Sequence, residues 1–411
     1  MKATMVIPSY WSRESKDGWK EGDAIYDHPT PLDGEGTLLR ALHSTDVLKD
    51  KDFQLVILAV ATANDIEKRV EEKVSSIIHS ALRDTGVNVM LFGYSHLKRI
   101  HDACLNDGRD EYTDLIQLCG YSNVRNMCML IPHILGSDIA ILIDDDEVFE
   151  DPCFMSKAKE FIGRNMGGNV VNAVAGFYLQ PDGGYRLKKS YRPWMTHWDK
   201  YDRMNEAFDK FIGSEPRLKE TPFVFGGNMV IHRNLFTRIP FDPNVPRGED
   251  IDFLINAKMS GFPFFLDNQL SIKHLPPAKT HPTWMQLRED IYRFVYERAK
   301  IESQQDTKGM TRVRPEQLDP YPGCFLKRDL EEKIEKSCRL LSDECLSQND
   351  KQGSEEALKN IFLARSVAVP TLNPFESLCD TQKRWQKLMD YAGKHDVRSA
   401  MRRMIDWDQV A

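Results

Sequence analysis

The feature that most constrains this chain is a short apolar run, Ile139-Ala140-Ile141-Leu142-Ile143, that stops abruptly at Asp144-Asp145-Asp146-Glu147. A run of this length without polar alternation reads as a strand covered on both faces, the kind found inside a parallel sheet. Consecutive carboxylates at its end repel one another, and holding them beside a buried core is costly without a counter-charge. A hard divalent cation, Mg²⁺ or Mn²⁺, supplies that charge and completes its shell with phosphate oxygens and water. The other reading of the four acids is a solvated turn or a helix N-cap. The apolar strand directly before them favours the cation.

The segments upstream repeat this design. Residues 2–7 are apolar and end at Pro8-Ser9-Tyr10, and residues 53–61 and 87–92 read as two further strands. Residues 37–48, 65–85 and 123–135 carry apolar side chains at helical spacing. Strands alternating with helices predict an α/β fold with a mixed, mainly parallel sheet flanked by helices. Such sheets bind ligands outside the carboxyl ends of their strands. Pro8-Ser9-Tyr10 and the acidic run both lie at such ends. Residues 12–36, rich in Gly, Asp and Pro, read as a long ordered loop, and loops of that length in a compact domain are usually functional.

Beyond residue 151 the pattern loosens. Residues 170–179, 223–232, 262–266 and 270–273 read as strands, and 250–259 and 283–300 as helices. From 329 onward the chain reads as helical, with a polar break near 347–354 and turns at Pro370 and Pro374. The expected division is an α/β region over 1–280, with halves meeting near 150, and a mainly helical C-terminal region over 281–411.

Several other clusters carry chemistry. In Arg247-Gly248-Glu249-Asp250-Ile251-Asp252 a glycine and acids open a helical pattern. The acids either complement the helix dipole or supply a general base for a hydroxyl, Asp250 or Glu249. Of Asp250 and Asp252, on different sides of a helix start, one can face a cleft. His274 ends a short strand, as a structural histidine or as a further metal ligand, since imidazole also suits Mn²⁺. Gly226-Gly227-Asn228 is either a turn or bulge, or a place where backbone comes close to a bound ligand. Arg125 pairs either with a diphosphate or with a surface acid. Tyr191, Trp194, His197, Trp198 and Tyr201 are interleaved with Lys188, Lys189 and Arg192. They form either core or a partly exposed surface for a sugar or a small anionic hydroxylated compound.

Composition narrows the partners. The chain has 411 residues, 41% hydrophobic and 28% charged, with a formal net charge of -7. Those proportions are ordinary for a globular protein, and the acidic balance argues against nucleic acid. No apolar run is long enough to span a bilayer, and residues 1–8 lack the features of a secretion signal. The eight cysteines include no CxxC pair, which fits free thiols in a reducing cytoplasm better than disulfides or a zinc site.

Taken in order, these pieces resemble the GT-A glycosyltransferases, particularly the large family-2-like group, over roughly residues 1–280. Met5-Val6-Ile7-Pro8-Ser9-Tyr10 looks like the first strand and nucleotide-contacting loop, and Asn123-Val124-Arg125-Asn126 like the stretch before the metal strand. Ile143-Asp144-Asp145-Asp146 is similar to the DxD motif. The resemblance implies a Rossmann-like fold and a nucleotide-sugar donor of the UDP or GDP kind. Pro8, Ser9, Tyr10, Arg125, Asp144 and Asp145 would bind the donor. Asp144, Asp146 and His274 would hold Mn²⁺ or Mg²⁺. Asp250 would be the base, beside Glu249, in an inverting hexosyl transfer to a small hydroxylated or carbohydrate acceptor. Tyr191, Trp194, Trp198, Gly227 and Asn228 are the acceptor candidates. The acidic residue usual after the second strand is replaced by Ala59-Val60-Ala61-Thr62, with Asp65 later. The Gly226-Gly227 strand, the 248–252 block and Lys273-His274 also look like the retaining mannosylglycerate-synthase type. A haloacid-dehalogenase-type phosphatase is the rival reading of Asp144–Val148, but that fold opens with its nucleophile strand, and here several strand–helix units come first.

Overall fold

Eight strands build the main sheet: β1 (Ala3–Ser12), β2 (Gln54–Ala61), β3 (Val89–Phe92), β4 (Ile139–Ile143), β5 (Ala173–Leu179), β6 (Leu218–Glu220), β7 (Asn228–His232) and β8 (Phe265–His274). They are seen in a computed structural model that describes residues 1–166, 168–277 and 281–405. The order across the sheet is β6-β8-β5-β7-β4-β1-β2-β3. The first four strands of the chain are mutually parallel, with Met5 facing Leu55 on one side and Ile141 on the other. β7 runs antiparallel to both β4 and β5, while β5 and β8 are parallel. Two-residue strands add Thr30–Pro31 to β1 and Glu147–Val148 to β8.

This order positions the site. The chain lays β2 and β3 on one side of β1, then crosses back to place β4 on the other. The carboxyl ends of β1 and β4 therefore flank the point where the winding reverses, which is where open α/β sheets leave a crevice for ligands.

Both faces of the sheet are covered. Helices Leu38–Ser44, Glu67–Thr85 and Phe154–Glu160 pack on one face through Leu38, Leu42, Val70, Val74 and Phe154. On the other lies Tyr121–Leu135, apolar nearly all round because it is sandwiched between the sheet and the C-terminal helices. Those helices, Leu330–Ser347, Lys351–Ala364, Pro374–Ala392 and His395–Ile405, join the same apolar core. Trp385 is fully buried and its Nε1 donates to Phe236 O at 2.8 Å. Among the described residues no helix is long and apolar enough to cross a membrane.

The architecture is the expected Rossmann-like α/β sheet with a helical C-terminal region. Its details differ in instructive ways. β1 continues through Pro8-Ser9-Tyr10 to Ser12, because residues 54–61 of β2 pair with it along that whole length. Residues 223–227 lie outside β7, which starts only at Asn228. The expected strands 262–266 and 270–273 are one strand, β8, whose pairing with β5 shifts register between Leu266 and Ser271. Helices Tyr94–Asn106 and Lys200–Phe211 were not foreseen. The expected boundary at residue 280 falls outside the described residues.

Candidate functional site

A cleft of about 470 Å³ opens at the carboxyl ends of β1 and β4. Asp144, Asp145 and Asp146 line it immediately after β4. Ser9 of β1 donates from its hydroxyl to Asp145 Oδ2 at 2.6 Å, and Trp11 Nε1 donates to Ser9 Oγ at 2.9 Å. Pro8 and Ser9 are buried within β1, and Tyr10 is the residue of that trio that lines the cleft.

His274 reaches the acids through sheet pairing. Glu147–Val148 pairs with the end of β8, with His274 opposite Glu147. Leu275 N donates to Asp146 O, and His274 Nε2 lies 3.3 Å from Asp146 Oδ2. The imidazole stacks on Tyr178 with centroids 4.6 Å apart.

Arg125 ties the two acidic motifs together. Its guanidinium lies 2.8 Å from Asp144 Oδ1, and its Nε donates to Glu249 Oε1 at 3.3 Å. Of the two readings open to it, a pairing with acids is realised, but the acids are those of the site and not of the surface. Its Nη1 is buried without a hydrogen-bond partner.

The charge of this half is uneven. Burial pushes the Asp145 carboxyl up to about 7, helped by Asp146 and opposed by the Ser9 hydroxyl. Burial, with Asp144 and Asp146, also raises Glu147 well above its ordinary value. Burial also raises Asp144, against the pull of Arg125. Burial lifts Glu249 to about 7, again opposed by Arg125. Glu147 Oε1 is enclosed without a hydrogen bond of good geometry. Five carboxylates facing one arginine and one histidine lack positive charge, and their oxygens with an imidazole nitrogen suit a divalent cation, Mn²⁺ in particular. Among the described residues no group of three or more His, Cys, Asp or Glu side chains is gathered as closely as a bound metal ion requires.

The glycine pair explains the close packing here. A Cβ on Gly227 would lie 2.1 Å from Glu147 Oε1 and 2.7 Å from Asp144 Oδ2. A Cβ on Gly226 would lie 2.8 Å from Arg125 Nη2. The close approach expected at Gly226-Gly227 is therefore made to the acids, and Gly226, not Gly227, lines the cleft. Asn228 is wholly buried and its Nδ2 donates to Phe177 O and Leu270 O, which ties the start of β7 to β5 and β8. Its acceptor role is replaced by a structural one.

Across the cleft stands the start of helix Glu249–Met259. Gly248 caps it at φ 74°, and a Cβ there would meet Arg293 Nη1 at 2.3 Å. Asp250 faces the cleft, its Oδ1 accepting from the Ile251 amide at 2.8 Å. Asp252 points the other way into a buried cluster, where Lys300 Nζ lies 2.6 Å from Asp252 Oδ1 and 2.8 Å from Asp242 Oδ2.

The aromatic cluster is divided. Trp194 and Trp198 are core residues, 4% and 2% exposed, with the Trp198 ring 4.8 Å from that of Phe325. Tyr191 is 72% exposed and lies away from the cleft lining. Their spacing suits a helix-like turn that turns both indoles inward, so the acceptor assignment of all three is corrected. Tyr201 does line the cleft. It is joined by Arg247 of the 247–252 motif and by residues outside every motif: Lys200, Asp290, Arg293 and Tyr321. The readable sign was a stripe of charges, Asp290, Arg293, Glu297 and Lys300, at helical spacing within 283–300. All four are buried.

The long loop closes the end of the cleft at Tyr10 and Tyr121. The Tyr26 ring packs on Tyr10 and Tyr121 at 4.4 and 4.9 Å, and its hydroxyl accepts from Gly120 N at 2.9 Å. Asp27 pairs with Arg247 at 2.8 Å. Asp65, the acid nearest to the position expected to read a base, is held by both Arg13 Nη1 and Nη2 at 2.7 Å.

No family model matches the chain, and no curated protein matches it either. Among solved structures it is similar to a mannosyltransferase from Pyrobaculum calidifontis in complex with GDP-Man and Mn²⁺, at 12% identity and a TM-score of 0.42, covering 96% of this chain and 87% of that one. It is similar to a mycobacterial protein at 17% identity and a TM-score of 0.38, covering 72% of each. It is also similar to GalNAc-T7 with UDP, GalNAc and Mn²⁺, at 12% identity and a TM-score of 0.35, covering 85% of this chain and 58% of that one. At these values the functional reading rests on the residues of the chain itself.

Proposed function

We propose that this chain is a glycosyltransferase that moves a hexose from a nucleotide-diphosphate-sugar donor, of the UDP or GDP kind, to a hydroxyl of a small hydroxylated or carbohydrate acceptor. One observation carries the reading. At the switch point of the sheet a charge-deficient set of carboxylates, with a histidine beside it, shares one cleft with an acid, Asp250, on the opposite wall. A diphosphate with a divalent cation answers the first group, and a hydroxyl to be deprotonated answers the second.

Asp144, Asp146 and His274 would hold Mn²⁺ or Mg²⁺, which supplies positive charge to the leaving diphosphate. Arg125, whose Nη1 has no hydrogen-bond partner, would donate to a phosphate oxygen of the donor. Tyr10, Tyr26 and Tyr121 form an aromatic wall at the end where the nucleoside would lie. Asp250 takes the acceptor proton in the inverting form of the reaction, since a sugar hydroxyl needs a positioned base at neutral pH. Burial of Asp252 against Lys300 and the hold of Arg125 on Glu249 support Asp250 as that base.

Incubation with a panel of UDP- and GDP-sugars, with and without Mn²⁺, tests the class through release of the nucleoside diphosphate. Asp146→Ala should cut turnover at least about a hundredfold and remove Mn²⁺-dependent nucleotide binding, with a thermal midpoint no lower than that of the parent. Nucleotide affinity in Mn²⁺ that is unchanged in this variant refutes the metal assignment. NMR of the first-formed product gives its anomeric configuration against the donor, and retention there reduces Asp250 to an acceptor anchor.

A further inference from the structure

The wall of the cleft beyond Asp250 has its own charge arrangement. Lys200 and Arg293 share a single carboxylate, Asp290: Lys200 Nζ bonds to Oδ2, and Arg293 Nη2 lies 3.1 Å from Oδ1. All three side chains are at most 15% exposed. Arg247 adds little to the shortage of negative charge, because Asp27 and Glu289 flank it at 2.8 Å each; both acids are thereby taken up by Arg247. Glu297 lies behind Arg293, but burial raises its carboxyl to about 8, so it stays protonated at neutral pH. Asp250 is the other carboxylate near Arg293, and its role as base commits it to the acceptor hydroxyl.

Two buried cations beside one carboxylate are costly to desolvate unless a further anion arrives. The environment of Lys200 agrees: burial pulls its ammonium down to about 8 despite Asp290, with Arg293 and Arg247 adding repulsion. An ammonium has three donors, and the bond to Asp290 uses one. Arg293 gives Nη2 to the Tyr321 hydroxyl at 2.8 Å and packs under Gly248, which keeps its guanidinium at the helix start that carries Asp250. The same cleft is also lined by Leu187, Met204, Phe208, Phe223 and Phe225, apolar side chains suited to the body of a small ligand.

We propose that the acceptor carries one anionic group, a carboxylate or a phosphate, seated on Lys200 and Arg293 while its hydroxyl lies at Asp250. This inference rests on the glycosyl-transfer reading above. It departs from the aromatic residues Trp194 and Trp198, and it makes Lys200 the specificity-determining residue for the acceptor.

Ligand-observed NMR on the full-length protein tests it, with UDP or GDP and Mn²⁺ present to fill the donor half. Glucose is compared with glucose 6-phosphate and glucuronate, and inorganic phosphate serves as competitor. Glucose 6-phosphate or glucuronate should bind about ten- to a hundredfold more tightly than glucose, the effect of one charge-assisted contact. Inorganic phosphate should displace the charged sugar. Lys200→Met and Arg293→Lys, each checked for a cooperative melt, should abolish the preference. Equal binding of charged and neutral sugars by the parent protein overturns the proposal, as does a preference that survives in a folded variant. Failure of UDP and GDP to bind at all is a different result and overturns the glycosyl-transfer reading instead.

Discussion

Glu297 illustrates how strongly a single enclosed group is coupled to its surroundings. Both carboxyl oxygens lack hydrogen bonds, and the side chain is wholly buried among Arg293, Asp252, Lys300 and Asp250. Burial, partly offset by Arg293, holds its pKa near 8 against an ordinary 4.5. The folded state therefore keeps a proton that the unfolded chain releases, so stability falls as pH rises between those values. Glu297→Gln should match the parent near pH 5 and exceed it by a few kcal/mol at pH 8.5 in chemical denaturation. A parallel fall in both proteins would assign the pH dependence elsewhere. Gly227 is the opposite case, a residue valued for what it lacks. Gly227→Ala should cost about 1–3 kcal/mol by overpacking and should weaken Mn²⁺-dependent nucleotide binding by spreading Glu147 and Asp144. A full-affinity Ala variant would show that the acids need not be held so close.

At the scale of elements, the loop over 13–36 is a folded strap. Arg13 joins Asp23 and Asp65, Tyr26 fills a slot between Tyr10 and Tyr121, and Asp27 fastens the strap to Arg247 beside the Asp250 helix. It therefore touches both halves of the cleft. Its order depends on a few side chains and little on ladder hydrogen bonds, which places it at the low-stability end of the molecule. Arg13→Met should raise amide hydrogen exchange across residues 14–25 while β1 and β2 remain protected. Uniform protection in that variant would mean that Tyr26 alone holds the strap. Helix Glu249–Met259 shows the same dependence on distant partners: its first turn is set by Arg293 against Gly248 and by Arg125 on Glu249.

At the scale of the whole molecule, the C-terminal helices belong to the core that supports the site. Trp385 bonds to Phe236 O, Met389 O lies 2.8 Å from His133 Nε2, and the Tyr391 hydroxyl donates to Asp107 at 2.7 Å. The contact at His133 holds helix Tyr121–Leu135, which carries Arg125. One cooperative calorimetric transition is expected. Trp385→Ala should lower stability by about 3–5 kcal/mol, and a chain ending at residue 328 should fail to give a cooperative melt. Two separable transitions would instead make the C-terminal region an independent unit.

The periodic segments were legible from the sequence because period is a local property. Residues 139–143 stand as the strand expected, and the acids after them line the crevice that parallel winding creates. Asp250 rather than Asp252 faces the cleft, as expected from their places at a helix start, whereas His274 meets Asp146 and Gly227 meets Glu147 only through the pairing of distant strands. The other half of the cleft was not legible. A charged stripe and an apolar stripe on helix Thr283–Glu302 have the same 3.6-residue period, so spacing could not tell that Asp290, Arg293, Glu297 and Lys300 lie inward. The tryptophans at 194 and 198 carry no mark that separates a sugar platform from a core; packing against Phe294 and Phe325, about a hundred residues onward, decides it. Arg125 meets Asp144 and Glu249 because the sheet winding brings three distant segments to one point. Sequence determines where a side chain can point along its own element, whereas which distant charge it meets is set by the tertiary packing that closes the cleft.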